Sequence, residues 1–130
     1  MDAIFATLSQ DMPDADPVIL GDFNTMGAEG RMGPADEIAP FEETIRAEAP
    51  GFRLLTPALK CTEYFNGHCG WLDHIVVSQA MLEARGAEAC VTGYCALAGA
   101  LRLSDAMPAA YHRISNDCPA VVEIENRDLD

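Results

Sequence analysis

Apolar residues return at helical spacing at Ile4, Phe5, Leu8 and Met12, so the pattern predicts a helix over 3–12 with Asp2 as its N-cap. Pro13-Asp14-Ala15-Asp16-Pro17 breaks it. The run Val18-Ile19-Leu20 shows no alternation, which predicts a strand buried on both faces and ending at Gly21-Asp22-Phe23-Asn24. A loop rich in Gly and Pro follows over 25–39. Pro40 suits the first turn of a second helix reaching about Ala49, with Phe41 and Ile45 on its apolar face and Pro50-Gly51 as its stop. Phe52 to Leu55 is a short strand, and Cys61 to Gly70 reads as a turn-rich excursion. Leu72 to Ser78 is the strongest strand signal, with Ile75, Val76 and Val77 all β-branched. A helical turn over 79–85, a strand over 88–95, a loop over 96–112 and a last strand from Ala120 to Ile124 complete the reading. Pro119 stands at the start of that last strand, where a missing N–H is tolerated.

This order predicts an α/β (α+β) fold in a single domain over 1–130: one mixed sheet with helices on one face. With 49% hydrophobic residues the chain is expected to be globular, and no apolar run is long enough for a membrane span. The segment Met1-Asp2-Ala3-Ile4 lacks the basic start of a secretory signal, so a cytoplasmic location is expected. The formal charge of −13, from 21 acidic and 8 basic residues, disfavours nucleic acid as a partner, because phosphate contacts draw on many Lys and Arg. The five cysteines are odd in number and without zinc-ribbon spacing, so reduced and mostly buried thiols are expected. Two other readings of the local group Cys61, His68, Cys69 and His74 stay open, a zinc site and a Cys61–Cys69 disulfide across a turn.

Three patterns carry chemistry, each at a strand end. In Leu20-Gly21-Asp22-Phe23-Asn24 the strand delivers a carboxylate and an amide two residues apart, on one side if the extended conformation persists. In Trp71-Leu72-Asp73-His74-Ile75 a carboxylate opens an otherwise apolar strand, where it is costly unless paired or part of a site. In Tyr111-His112-Arg113-Ile114-Ser115-Asn116-Asp117-Cys118-Pro119 polar residues lead straight into the last strand. Taken singly, each is also what an ordinary turn or strand end looks like.

In this order the three resemble the endonuclease/exonuclease/phosphatase superfamily, whose deoxyribonuclease-I-like fold has a Gly-Asp-Phe-Asn motif, a later strand opening on Asp-His/Tyr/Arg-Ile, and a Ser-Asp-His-x-Pro motif before its last strand. Gly21 to Asn24 matches the first fully and Leu72 to Ser78 matches the second; the third is matched by Ser115, Cys118 and Pro119 alone. The resemblance implies a magnesium- or manganese-dependent phosphoesterase acting on a phosphodiester or phosphomonoester of unknown class, by electrostatic stabilisation of phosphoryl transfer. It implies that Asp22 orients or activates the attacking water or protonates the leaving oxygen, that Asn24 bonds the scissile phosphate, and that Asp73 orients and charge-stabilises the histidine of the third motif. His74, at a position the family fills variably, and Asp117 are counted with them as candidate catalytic residues. Asp22, Asn116 and Asp117 are the implied metal ligands.

Two departures qualify the expectation. Asn116 and Asp117 stand where the family has Asp and His, so the imidazole that Asp73 should partner is replaced by a second carboxylate, and two facing carboxylates repel unless a cation or a proton lies between them. His112, five residues before Asp117, is a possible substitute. The family domain is also roughly twice this length, a two-layered α/β sandwich of which this chain matches the C-terminal half. The expectations are therefore an impaired phosphoesterase or, alternatively, an inactive relative acting as a binding or assembly module. A homodimer or a separate N-terminal half would cover the second sheet face.

Overall fold

The computed structural model describes residues 16–25, 37–99, 101, 107, 109–127 and 129. The helix expected over 3–12 and most of the loop expected over 25–39 lie outside them. Seven strands and three helices are formed among the described residues. The strands are β1 (Val18–Asp22), β2 (Phe52–Leu55), β3 (Glu63–Phe65), β4 (His68–Gly70), β5 (Asp73–Ser78), β6 (Ala89–Val91) and β7 (Ala120–Val122). The helices are α1 (Ile38–Glu48), α2 (Gly93–Ala98) and α3 (Ala109–Arg113), with a single 3-10 turn at Leu82–Ala84. The mixed α+β character is as expected. In place of one mixed sheet there are three small antiparallel ones, ordered β1-β5-β2, β3-β4 and β6-β7. Only β3 and β4 are joined by a tight turn; the other pairs are made by strands distant in sequence.

β5 is the centre of the fold. Val18, Ile19, Leu20, Gly21 and Asp22 face Val77, Val76, Ile75, His74 and Asp73 in turn, while Leu55 to Phe52 run along its other edge. Alternation sends Ile75 and Val77 to one face, where they pack with Leu55, Met81, Ala84 and Ala89 under the β6-β7 ribbon. Val76 points to the opposite face, onto Phe41 and Ile45 of α1. Both faces of β5 are therefore covered from within the chain, which is why its β-branched run tolerates no polar alternation. β1 differs from the expectation. At the sheet edge, its Val18 and Leu20 are 37% and 65% exposed.

α1 begins at Ile38, two residues before the expected start, and its buried residues Ile38, Phe41 and Ile45 recur at helical spacing. Pro40 falls in its first turn, where no intrahelical N–H is missed. The excursion over 61–70 is a hairpin. Asn66 and Gly67, at φ 50° and 76°, form its turn, and two left-handed residues in succession are what a tight hairpin of right-twisted strands needs. The strand expected over 88–95 stops at Val91, because Gly93 at φ 71° leaves extended geometry and opens α2. The expected loop over 96–112 contains the end of α2 and most of α3.

The cysteines require a correction. Cys61 is bonded to Cys69 and Cys95 to Cys118, leaving Cys90 free and exposed. The first pair is the alternative disulfide that the sequence left open; the second joins residues 23 apart and has no local sequence signal. With both sulfurs of Cys61 and Cys69 bonded to each other, no thiolate is left for zinc, and that reading falls. No helix among the described residues is long and apolar enough to cross a membrane.

Candidate active site

Register decides the first half of the site. Asp22 and Asp73 are direct cross-strand partners and so lie on one face of the sheet, at the end where β1 finishes and β5 begins. The extended conformation does not persist to Asn24. That residue turns left-handed at φ 56°, and its backbone N–H donates to Asp22 Oδ1 at 2.6 Å. The Gly-Asp-Phe-Asn segment is thus an Asx-type turn that fixes the Asp22 carboxylate, with the exposed Asn24 side chain beyond it.

The second half arrives from the hairpin and the last loop. Thr62, fully buried, accepts hydrogen bonds at its Oγ1 from the N–H groups of Leu72 (3.0 Å) and Asp73 (3.1 Å). Its hydroxyl also bonds the Asp73 carboxylate. Its carbonyl accepts from Cys118 N–H at 2.7 Å. One residue therefore ties the start of β5 to the third motif. Beside it, Glu63 pairs with Asp117 in an isolated bridge and takes a hydrogen bond from the Asn116 side-chain amide. Asp117 is exposed, its Oδ2 accepting from Ser115 Oγ at 2.7 Å. The Asn116 carbonyl receives Tyr64 N–H at 3.0 Å and the Tyr94 hydroxyl at 2.5 Å.

Four carboxylates, Asp22, Glu63, Asp73 and Asp117, thereby share one region. Burial raises Glu63 above the usual carboxylate range, and the charges of Asp117, Asp22 and Asp73 raise it further against the bond from Asn116. Burial likewise raises Asp73; the Thr62 bond opposes this, and Asp117 and Asp22 add to it. Burial pushes the Tyr94 hydroxyl up to about 12, with Asp117 the largest of the charges that assist. Next to this group a pocket of about 210 Å³ opens among Gly21, Asp73, Cys118 and Pro119.

His74 also borders this pocket, but its ring turns to the opposite face of β5. Its ring is 1% exposed, on the α1 side of β5, with ring centroids 4.4 Å from Trp71, 4.9 Å from Phe41 and 5.6 Å from Phe23. The Thr25 hydroxyl donates to Trp71 O at 2.8 Å and sits 2.6 Å from His74 Nε2. A hydroxyl has one proton, so Nε2 is the protonated nitrogen and Nδ1 is bare, buried and without a partner among the described residues. Burial lowers this imidazole to about 4, so it is neutral at physiological pH. Of the sequence-derived residues, Asp22, Asp73, Asn116 and Asp117 belong together, whereas His74 belongs to the core. His112 is exposed on α3, edge-on to Tyr111 at 5.2 Å.

Thr62 and Glu63 were not identified from sequence. The signal available was a Thr-Glu pair preceding an Asn-Gly turn, which predicts a hairpin but says nothing of what it touches.

The donors around Asp117 are carboxylate and amide oxygens, which suit magnesium or manganese in kind. Among the described residues no three side chains stand close enough to form a metal cage. Comparison with protein-family models, with curated proteins and with solved structures found no match to this chain.

Proposed function

We propose that the chain is a phosphoesterase of the endonuclease/exonuclease/phosphatase type with a weakened site, hydrolysing a phosphodiester or phosphomonoester. The observation that carries the reading is the direct pairing of Asp22 with Asp73, with Asp117 drawn to the same place through Thr62 and Cys118. Three motif segments distant in sequence meet at one end of the fold, beside an open pocket. Asp22, steadied by the Asn24 N–H, would orient a water molecule and take up its proton. Asp73, held by Thr62, would face the third motif, which the Thr62 carbonyl keeps in register through the Cys118 N–H. Asp22 and Asp117, with the Asn116 amide oxygen, would hold magnesium or manganese. The ion would supply charge neutralisation and polarise a phosphoryl oxygen.

An inactive binding or assembly module is the second reading. It is favoured by the absence of an imidazole from the carboxylate group, since His74 is neutral and turned into the core. Hydrolysis of an activated aryl phosphodiester with added magnesium or manganese separates the two. Slow turnover that falls further in Asp73→Asn supports the enzyme. Turnover unchanged in that variant, or none in either protein, supports the module.

The exposed apolar face of β1 marks where a second copy or an N-terminal half would dock, a substrate-independent part of the same proposal. Leu20→Lys should then convert a dimer to a monomer in light scattering, and a monomeric parent chain at micromolar concentration would remove the homodimer. An oxidising compartment accommodates the two disulfides better than the cytoplasm expected from the N-terminal sequence.

A further inference from the structure

Two buried side-chain polar atoms lack a hydrogen-bond partner among the described residues: His74 Nδ1, in the aromatic core, and Glu83 Oε2. Glu83 stands in the 3-10 turn Leu82–Ala84 and is 8% exposed. That turn follows β5 at the end away from Asp73, so Glu83 stands apart from the carboxylates at the start of the strand. Its other acceptors are engaged. The backbone carbonyl accepts from Glu125 N–H at 3.2 Å, and Oε1 accepts from Leu129 N–H at 2.5 Å. The carboxylate is thus fixed at one oxygen and bare at the other, and even Arg85, two residues on, leaves Oε2 without a bond. A buried acceptor without a donor carries its desolvation cost uncompensated, and in a native structure such an atom calls for a partner.

Glu83 lines a pocket of about 450 Å³, with Arg85 and Ala87 from its own turn and Glu123, Ile124 and Glu125 from the segment after β7. Three carboxylates against one guanidinium leave its wall a formal charge of −2. Ala87 and the 43% exposed Ile124 add an apolar strip. A ligand suited to this wall donates a hydrogen bond to Oε2, carries positive charge and has an apolar part. A divalent ion fits poorly, since it takes several oxygen ligands at once and no three acidic side chains among the described residues converge enough to hold one. A primary ammonium fits well: it is a compact charge with three N–H donors, and its alkyl stem packs on apolar surface while the head stays polar.

We propose that this pocket binds the primary ammonium group of an alkylamine: Glu83 Oε2 accepts one N–H, Glu123 and Glu125 supply negative charge at the rim, and the alkyl stem lies on Ala87 and Ile124. The site shares no residue with the proposed phosphoesterase centre and does not depend on that reading. A free alkylamine and the lysine side chain of another protein both present this group, and the test separates them.

The full chain is titrated with butylamine, with acetyl-lysine methylamide, with tetramethylammonium and with magnesium, while NMR follows the Ala87 and Ile124 backbone amides. Salt at about 0.15 M screens diffuse attraction to the acidic surface beyond roughly 8 Å. Saturable shifts are expected with one or both ammonium probes, and the tighter of the two identifies the source. Glu83→Gln keeps the shape and the acceptor for Leu129 N–H, and should weaken binding about ten- to hundredfold, the usual worth of a hydrogen bond to a charged group. Glu123→Gln, at the exposed rim, should weaken it by no more than about fivefold. Tetramethylammonium carries the same charge without an N–H, so it tests the claim without any variant and should give no saturable shift. The proposal is overturned if neither ammonium probe saturates, because a water molecule then serves Oε2. Affinity unchanged in Glu83→Gln, or tetramethylammonium binding as tightly as butylamine, overturns it as well, because the attraction is then diffuse. Magnesium moving the same amides at lower concentration than either amine would make the pocket a metal site and sink the ammonium reading.

Discussion

Replacing Asp22 with Asn should stabilise the chain while it removes function. The substitution keeps the shape and the Oδ1 acceptor that receives the Asn24 N–H at 2.6 Å, so the turn survives. What disappears is a negative charge directly across the strand from Asp73, and close enough to raise Glu63 as well. Like charges directly opposite in a sheet cost roughly 0.2–1 kcal/mol. Coulomb's law gives a similar figure, about 0.7 kcal/mol for unit charges ~6 Å apart in a water-like dielectric. Asp22 is exposed, so solvent and salt screen its effect on the more distant Glu63, and a net gain of about 0.5–1 kcal/mol is expected. For a chain of this size that is a rise of roughly 2–4 °C in Tm. The sign with pH is fixed. Asp73 and Glu63 have folded-state values above their ordinary ones, so the folded chain holds protons more readily than the unfolded chain. Their penalty is absent below the ordinary carboxylate range and complete above the raised values, so the parent loses stability as pH rises through that window. The gain from Asp22→Asn should be greatest at neutral pH and low salt and should vanish as the carboxylates protonate. Urea unfolding at a series of pH values measures it. A variant that is less stable than the parent at neutral pH, or a gain indifferent to both pH and salt, would refute the reasoning.

Three further outcomes are expected. Restoring the motif with Asn116→Asp and Asp117→His should raise hydrolysis by about 10²–10⁴-fold, the usual worth of a general acid–base group, and an unchanged rate would show that the third motif is not part of the chemistry. His74, with a folded value of about 4 against an ordinary 6.5, adds stability that is complete above about pH 6.5 and is lost as pH falls towards 4, at up to about 1.4 kcal/mol per pH unit. His74→Gln should flatten that stretch of the stability–pH curve, and a difference curve without slope there would place the imidazole in contact with water. Thr62→Val strands two backbone N–H groups at the start of β5 and should cost about 2–4 kcal/mol in chemical denaturation, whereas Thr62→Ser, which keeps the oxygen, should cost less than half of that.

What could be read from the chain was what depends on local pattern. The run Ile75-Val76-Val77 located the central strand, and Phe41 with Ile45 located the helix that covers it, because burial on a sheet face or a helix stripe imposes its own period. Asp22 and Asp73 were legible as strand-end carboxylates, and their placement across from each other followed once the strands paired antiparallel. His74 was misplaced for a physical reason. The resemblance grouped it with Asp73 by motif position, yet successive residues of a strand point to opposite faces, and the ring went to the aromatic side with Phe23, Phe41 and Trp71. Asn24 was misread because the expectation extended the strand past Asp22, where the chain instead turns left-handed. The Cys95–Cys118 bond and the role of Thr62 were illegible, since both are contacts between segments that share no sequence period.

The division of the carboxylates between two structural supports bears on how the site would respond to a ligand. Asp22 and Asp73 are fixed by strand pairing and by Thr62, so their mutual repulsion is built into the sheet and cannot relax by moving one of them. Glu63 and Asp117 repel them from segments whose anchorage is the cystine cluster and the Thr62 carbonyl. Relief of the strain is then available in only two ways: the second pair moves away, or positive charge enters between the pairs. Under the proposed function a divalent cation would take the second route and would stabilise the assembled arrangement by mass action, in proportion to the logarithm of its concentration over its dissociation constant. A proton takes it as well, and the charges of Asp117 and Asp22 add in this way to the burial that chiefly raises Glu63 and Asp73. Under the proposed function, Asp117 in place of an imidazole would therefore have a consequence beyond lost acid–base chemistry: a pair that would attract becomes one that repels.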